Sequence, residues 1–266
     1  MERSKSIVYL CTENDAKSCL GLDALVQDGW NISLAIAYKA PSVRGSLQQK
    51  IRKGGQLLLS LMEKVIFRPP VIMRISVIPC KRICEVNKIE YLETDDRSLE
   101  SCKEKIYSVN PDVILSNGWQ FKIKSEVVKL AGIACLNCHS SYLPEYRGGN
   151  VTYAPLINGE TQSGVSVHEV LEQFDSGRIL AQQRVSVDQM ETPLTLRTKR
   201  ALITAGVLIE ALESAGNETL YLDNPTSGFY FRCSYQKYLR FRLENVFRKL
   251  LGISIKRYTA QDRHDI

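Results

Sequence analysis

Lys5-Ser6-Ile7-Val8-Tyr9-Leu10-Cys11, then Ala16 to Gln27, then Asn31-Ile32-Ser33-Leu34-Ala35-Ile36-Ala37-Tyr38 is the stretch that decides the fold. The first and third segments are short and almost continuously apolar, as strands buried on both faces are. The segment between them is long enough for three helical turns. Strand, helix, strand in that order predicts a parallel, doubly wound α/β sheet.

The pattern continues outward from there. A helix is expected from about Leu47 to Ile66, ended by Pro69-Pro70. Short strands are expected at Val71–Val77 and Ile89–Leu92, then a helix over Ser98–Ser108 capped by Ser98. Val113 to Leu115 reads as a strand, and Glu126 to Leu130 as part of a helix ended by Gly132. Ile133 to His139 is a strand, Ser140 to Gly149 a turn-rich loop and Val151 to Ile157 a short helix. Ser163–Val170 and Arg178–Val187 read as two strands joined by a tight Asp175-Ser176-Gly177 connection. Leu194 to Ala215 is a long amphipathic helix. Composition changes near Gly216, which divides the chain into a core of residues 1–215 and an appendage of residues 216–266. Asn224-Pro225-Thr226-Ser227-Gly228 is a turn there. Ser234 to Leu251 is a basic, aromatic helix carrying Lys237, Arg240, Arg242, Arg248 and Lys249. It could face phosphate, tRNA, a membrane surface or a second subunit, and its sequence does not choose among them.

A chain of 266 residues, 44% hydrophobic and 24% charged, can bury a large core. The net charge of +6 is compatible with an anionic substrate but too small to demand nucleic acid. No segment approaches the roughly 20 apolar residues of a membrane span. The start, Met-Glu-Arg-Ser-Lys-Ser, leads into too short an apolar run for a secretion signal, so a cytoplasmic location is expected. The eight cysteines form no disulfide-scaffold pattern and should be reduced thiols.

Of the three histidines, His264 lies in the last few residues. His139 follows Asn137 with one residue between, so on a strand both project to one face and Cys138 to the other. Ligands bind at the carboxyl ends of strands in open α/β sheets. A base beside an amide donor suits acyl transfer to an amine: the imidazole takes the amine's proton, and the amide N–H receives the developing oxyanion. Asp175 is the candidate to orient the imidazole, with Gly177 allowing a close turn. The same residues could also simply satisfy backbone groups at a strand end.

Asn137-Cys138-His139-Ser140-Ser141-Tyr142-Leu143-Pro144-Glu145-Tyr146-Arg147-Gly148, with Asp175 thirty-six residues after His139, resembles the signature of the folate-dependent formyltransferases. The resemblance runs from about Asp112 to Gln183 and is not claimed beyond Gly216. It implies a Rossmann-like formyltransferase fold with a mostly parallel twisted sheet flanked by helices. It also implies N10-formyltetrahydrofolate as co-substrate and no metal. Asn137, His139 and Asp175 become the catalytic trio by that likeness. Asn117, Gly118, Trp119, Ile123, Val167, His168 and Phe174 would wall the pterin pocket, and Ser140, Tyr142, Pro144, Arg147 and Gly148 would meet the acceptor.

Cys135-Leu136-Asn137-Cys138-His139 also spells a haem-attachment pattern, but a strand points its two sulfurs to opposite faces. The same alternation argues against zinc shared with Cys80 and Cys84. For the acceptor, Cys11-Thr12-Glu13-Asn14-Asp15 is acidic and glycine-free, unlike the phosphate loop of glycinamide ribonucleotide enzymes. Lys39 to Lys53, with Arg44, Lys50 and Arg52, faintly resembles the basic loop of methionyl-tRNA enzymes. The expected acceptor is a nucleotide-linked amino sugar, a GDP- or dTDP-4-amino sugar of surface polysaccharide as in GDP-perosamine N-formylation, on a homodimer not binding nucleic acid. The alternatives are a methionyl-tRNA formyltransferase-like enzyme and a folate-binding protein without turnover.

Overall fold

The computed structural model describes residues 5–39, 76–149, 151–188, 191–225 and 235–252; the side chains of 235, 245, 246 and 248–250 are outside the description. The expected helix of 47–66, its Pro69-Pro70 stop, most of the strand at 71–77, the basic stretch after Lys39, most of the 224–228 turn and His264 lie outside the described residues.

Seven strands form one sheet: β1 (Ser6–Thr12), β2 (Asn31–Tyr38), β3 (Glu90–Thr94), β4 (Val113–Asn117), β5 (Ala134–His139), β6 (Gln162–Glu169) and β7 (Ile179–Ser186). Their order is β3-β2-β1-β4-β5-β6-β7. The first five in that order pair in parallel, and β6 and β7 add antiparallel. The mostly parallel α/β sheet matches the sequence expectation, and β2 has the expected bounds.

Helices α1 (Ala16–Gln27), α2 (Cys80–Asn87), α3 (Lys103–Val109), α4 (Ser125–Val128), α5 (Tyr153–Asn158), α6 (Pro193–Ser214) and α7 (Tyr235–Leu250) complete the described elements. The period of two along β1 sorts the core. Ile7, Tyr9 and Cys11 meet α1, α2 and α6 on one face, while Val8 and Leu10 meet Leu99, Ile106, Trp119 and Val127 on the other. In β5, Leu136 and Cys138 belong to the first face and Cys135 to the second.

Three local expectations change. Ser98 does not cap the helix after it. Asp96 does the equivalent work, its carboxylate accepting from the Ser98 and Ser101 N–H groups at 2.8 and 2.9 Å, and a 3-10 turn at Glu100–Cys102 precedes α3. The helix over 126–130 is the single turn α4, which ends before Gly132. A two-turn helix at Cys80–Asn87 is the element sequence reading missed. Its buried Cys80, Ile83 and Cys84 form one stripe against α1. Past Gly216, Leu222 exchanges backbone hydrogen bonds with Ile179 at the start of β7, and Tyr238 and Phe241 of α7 pack on Tyr146, Val151, Ala154 and Ile157.

Candidate active site

Alternation along β5 sends Asn137 and His139 to the same face, while Cys138 is buried in the opposite core. β6 lies beside it in antiparallel register with His168 opposite Asn137. The chain leaving β6 folds back so that Asp175 reaches both strands. Gly177 permits this: a Cβ there would stand 2.0 Å from the Glu169 carbonyl oxygen. Asp175 itself takes a left-handed backbone, φ 52°.

The three groups named by sequence therefore converge. Asp175 Oδ1 is 3.5 Å from His139 Nδ1, 3.3 Å from His168 Nε2 and 3.4 Å from Asn137 Nδ2. The other carboxylate oxygen accepts from the Gly148 N–H at 2.7 Å. All this is nearly closed to bulk water: His139 is 7% exposed, Asp175 8% and His168 2%.

Hydrogen-bond partners fix the chemistry of each ring. His139 Nε2 lies 3.0 Å from the Tyr146 carbonyl oxygen. A carbonyl only accepts, so Nε2 carries the proton and the neutral ring keeps its lone pair on Nδ1, facing Asp175. Burial pushes the His139 imidazole below its ordinary value. Asp175 and the Tyr146 carbonyl pull the other way and only partly offset this, with His168 and Lys17 adding to the lowering. The base is thus neutral near pH 7 and able to take a proton. For Asp175, burial acts to raise the carboxyl, but the positive charge that His139 and His168 carry when protonated, together with the Gly148 N–H, outweighs it and holds it well below the usual carboxylate range.

His168 Nδ1 donates to the Glu169 carbonyl at 2.7 Å, so in the neutral ring Nε2 accepts from Asn137 Nδ2 at 3.2 Å. Ser116 Oγ donates to Asn137 Oδ1 at 2.9 Å. These two contacts orient the Asn137 amide with its N–H groups toward Asp175 and its oxygen away. Sequence reading placed His168 near the pterin; its contacts also make it a support for Asn137 and Asp175.

A cleft of about 680 Å³ opens beside these groups, within the usual range of small-molecule sites. Gly118, Trp119, Phe121, Ile123, Val170, Leu171, His168 and Phe174 are among the residues lining it, as are Lys17, Ser140, Arg147, Gly148, Thr152 and Arg197. The aromatic wall is built by edge contacts: Tyr38 stands 5.9 Å from Trp119 and 4.6 Å from Phe121. Phe174 and Leu171 are half exposed, at 52% and 53%. Gly118 has φ 101°, and a Cβ there would meet Ser18 Oγ at 2.3 Å, so only glycine lets this wall close on α1. A flat, partly polar ring system fits such a wall, and the buried Trp119 Nε1–H has no partner among the described residues to donate to.

Four expected contacts do not reach the cleft. Asn117 is fully buried and donates to Tyr9 Oη and the Lys17 carbonyl. Val167 packs in the opposite core. Tyr142 lies under the Arg184 guanidinium, 3.6 Å from its ring centre, and Pro144, after a cis peptide bond, is also off the lining. Arg147 borders the cleft but is fully buried, and its Nη2 donates to Asn224 and Pro225. Lys17 and Arg197 line the cleft without having been named from sequence. Lys17 Nζ donates to the Cys138 carbonyl at 2.7 Å and to Ser140 Oγ at 3.3 Å.

Among the described residues no cluster of His, Cys, Asp and Glu could hold a metal ion. Burial pushes the Cys135 thiol up to about 12, so it is protonated near pH 7. No described helix is long and apolar enough to cross a membrane.

Comparison with known proteins bears on the family and the fold. The family model "Formyl transferase" matches residues 72–212, just over half the chain. The chain belongs to the formyl transferase family. Methionyl-tRNA formyltransferase of Thermotoga maritima is 30% identical over 140 residues, covering 53% of this chain and 45% of that protein. The enzyme of the same name from Ehrlichia canis is 32% identical over 139 residues, 52% of this chain and 46% of its own length. The chain thus spans less than half the length of these curated relatives. Glycinamide ribonucleotide transformylase 1 from Symbiobacterium toebii shares the fold, with TM-score 0.58 at 16% identity over 80% of this chain and 87% of that one. HypX from Aquifex aeolicus in complex with tetrahydrofolic acid does so with TM-score 0.57 at 15% identity, over 87% of this chain and 30% of that one.

Proposed function

We propose that this protein is a cytoplasmic enzyme that transfers a formyl group from N10-formyltetrahydrofolate to the primary amine of an acceptor. One observation carries the reading: a neutral imidazole, an amide donor and a carboxylate meet within hydrogen-bond range on the wall of a folate-sized cleft. Attack of the amine on the formyl carbon places negative charge on the formyl oxygen, and Asn137 would donate an N–H to it by giving up its 3.4 Å contact with Asp175. His139 Nδ1 takes the amine's proton. The new Nδ1–H then points at Asp175, whose carboxylate stabilises the imidazolium until the proton passes to the departing folate nitrogen. Trp119, Phe121, Ile123, Leu171 and Phe174 would hold the pterin.

For the acceptor, the names of the sequence relatives support the amine of a methionyl-tRNA, so this reading moves ahead of the nucleotide-linked amino sugar expected from sequence. The sugar stays second, supported by Lys17 and Arg197 on the cleft wall, which offer positive charge to a pyrophosphate. The test is incubation with N10-formyltetrahydrofolate and either methionyl-tRNA or GDP- and dTDP-linked 4-amino sugars, following release of tetrahydrofolate. Turnover with methionyl-tRNA supports the first acceptor, and turnover with a sugar nucleotide replaces it. Tight folate binding with no formyl loss to any amine would leave a binding protein and sink the reading.

A further inference from the structure

Asp175 is held at both ends, and the second hold comes from a part of the chain outside the matched family region. Its side chain is gripped by Gly148, whose N–H donates to Oδ2 at 2.7 Å. Its backbone carbonyl accepts from Asn224 Nδ2 at 3.0 Å, and the same amide nitrogen donates to the Gly177 carbonyl at 2.8 Å. Asn224 is in turn fixed by Arg147, whose Nη2 donates to Asn224 Oδ1 at 2.6 Å and to the Pro225 carbonyl at 2.6 Å. Arg147 immediately precedes Gly148. The contacts therefore close a ring, from the Asp175 carboxylate through Gly148 and Arg147 to Asn224 and back to the Asp175 carbonyl. Asn224 is 9% exposed and Arg147 not at all.

We propose that Asn224 is a positioning residue that sets the catalytic carboxylate by fixing the turn carrying it; this rests on the proposed formyl transfer for its catalytic meaning. Left-handed backbone at a residue other than glycine persists where neighbouring structure over-determines it, and Asp175 has φ 52°. Asn224 provides that constraint by crossing the turn and bonding two of its carbonyls at once. Its own amide cannot swing round, because Arg147 needs the oxygen. Asn224 touches none of the reacting groups. It acts through where Asp175 Oδ1 stands relative to His139, His168 and Asn137.

The experiment compares Asn224→Ala and Asn224→Leu with the wild-type chain, the second variant refilling the volume with an uncharged side chain. Two readouts are taken. Steady-state transfer from N10-formyltetrahydrofolate should show kcat down about 10- to 100-fold, as displacement of a positioned group by an ångström does, with KM for the folate nearly unchanged. Independently of any acceptor, proton NMR titration of His139 should give a midpoint below that of the wild type, since burial, His168 and Lys17 all lower it and Asp175 is the neighbouring carboxylate that raises it. Wild-type protein that transfers formyl to no amine counts against the proposed function and leaves the titration to decide the positioning role. Normal kcat with an unmoved midpoint in a folded variant overturns the inference. So does loss of the fold in both variants, which would make Asn224 a structural residue only.

Discussion

Asp175→Asn keeps the shape of the site and deletes one charge. That charge stands 3.5 Å from His139 Nδ1. At an effective dielectric of about 20, opposite unit charges at this separation attract by roughly 5 kcal/mol. The attraction exists only once His139 has taken a proton, so its loss falls on the transition state and not on bound substrate. At about 1.4 kcal/mol per power of ten, the rate should drop a few thousandfold, inside the roughly 10²- to 10⁴-fold span of general acid–base catalysis. Single-turnover transfer under saturating N10-formyltetrahydrofolate measures this, with folate-analogue affinity measured separately and expected to change little. A variant within about tenfold of the wild-type rate, folded and binding folate normally, would refute the assignment of Asp175 as the partner of the imidazolium.

Three further outcomes are expected of the same site and its strand. Because burial lowers His139 below its ordinary value, the unfolded chain binds a proton that the folded chain resists; the stability involved is complete above about pH 6.5 and is lost as the pH falls below it. His139→Gln should flatten that decline in urea titrations, and an unchanged slope would show that His139 is not its source. Cys138→Ser should keep activity, since the thiol lies in the core opposite the cleft, while losing about 1–3 kcal/mol through a buried hydroxyl; a folded but inactive variant would contradict the side-chain alternation of β5. Trp119→Ala should weaken folate-analogue binding by at least about tenfold, in keeping with the roughly 1.5–3 kcal/mol of a large apolar side chain, with melting temperature tracked alongside and wild-type affinity counting against the pterin wall.

The sheet and the paired polar residues of β5 were readable because both are local patterns. Continuous apolar runs mark strands covered on both faces, and a spacing of two puts Asn137 beside His139. Gly177, two residues after Asp175, signalled the tight return. Cys80, Ile83 and Cys84 carried a helical stripe that two turns made too short to stand out. Direction of reach was the hidden quantity. A motif supplies Arg147 as a residue type, yet folding turns its guanidinium inward to a segment 77 residues later, and Asn224 reaches Asp175 across 49. Such long-range hydrogen bonds leave no periodic trace. Tyr142, Pro144 and Val167 were named for the same reason, through positions in a motif whose side chains turn elsewhere.

The register between β5 and β6, Asn137 opposite His168 and His139 opposite Ser166, makes the site intolerant of changes in strand length. One residue inserted in β6 ahead of Val167 would exchange the side chains beyond it between the two faces of that strand. An imidazole would then be thrust among Leu136, Val207 and Leu208, and a valine would stand where Asn137 expects an acceptor. Insertions and deletions are thus affordable only in the connections flanking the strand, while the strand itself is fixed in length by chemistry performed on one side of it.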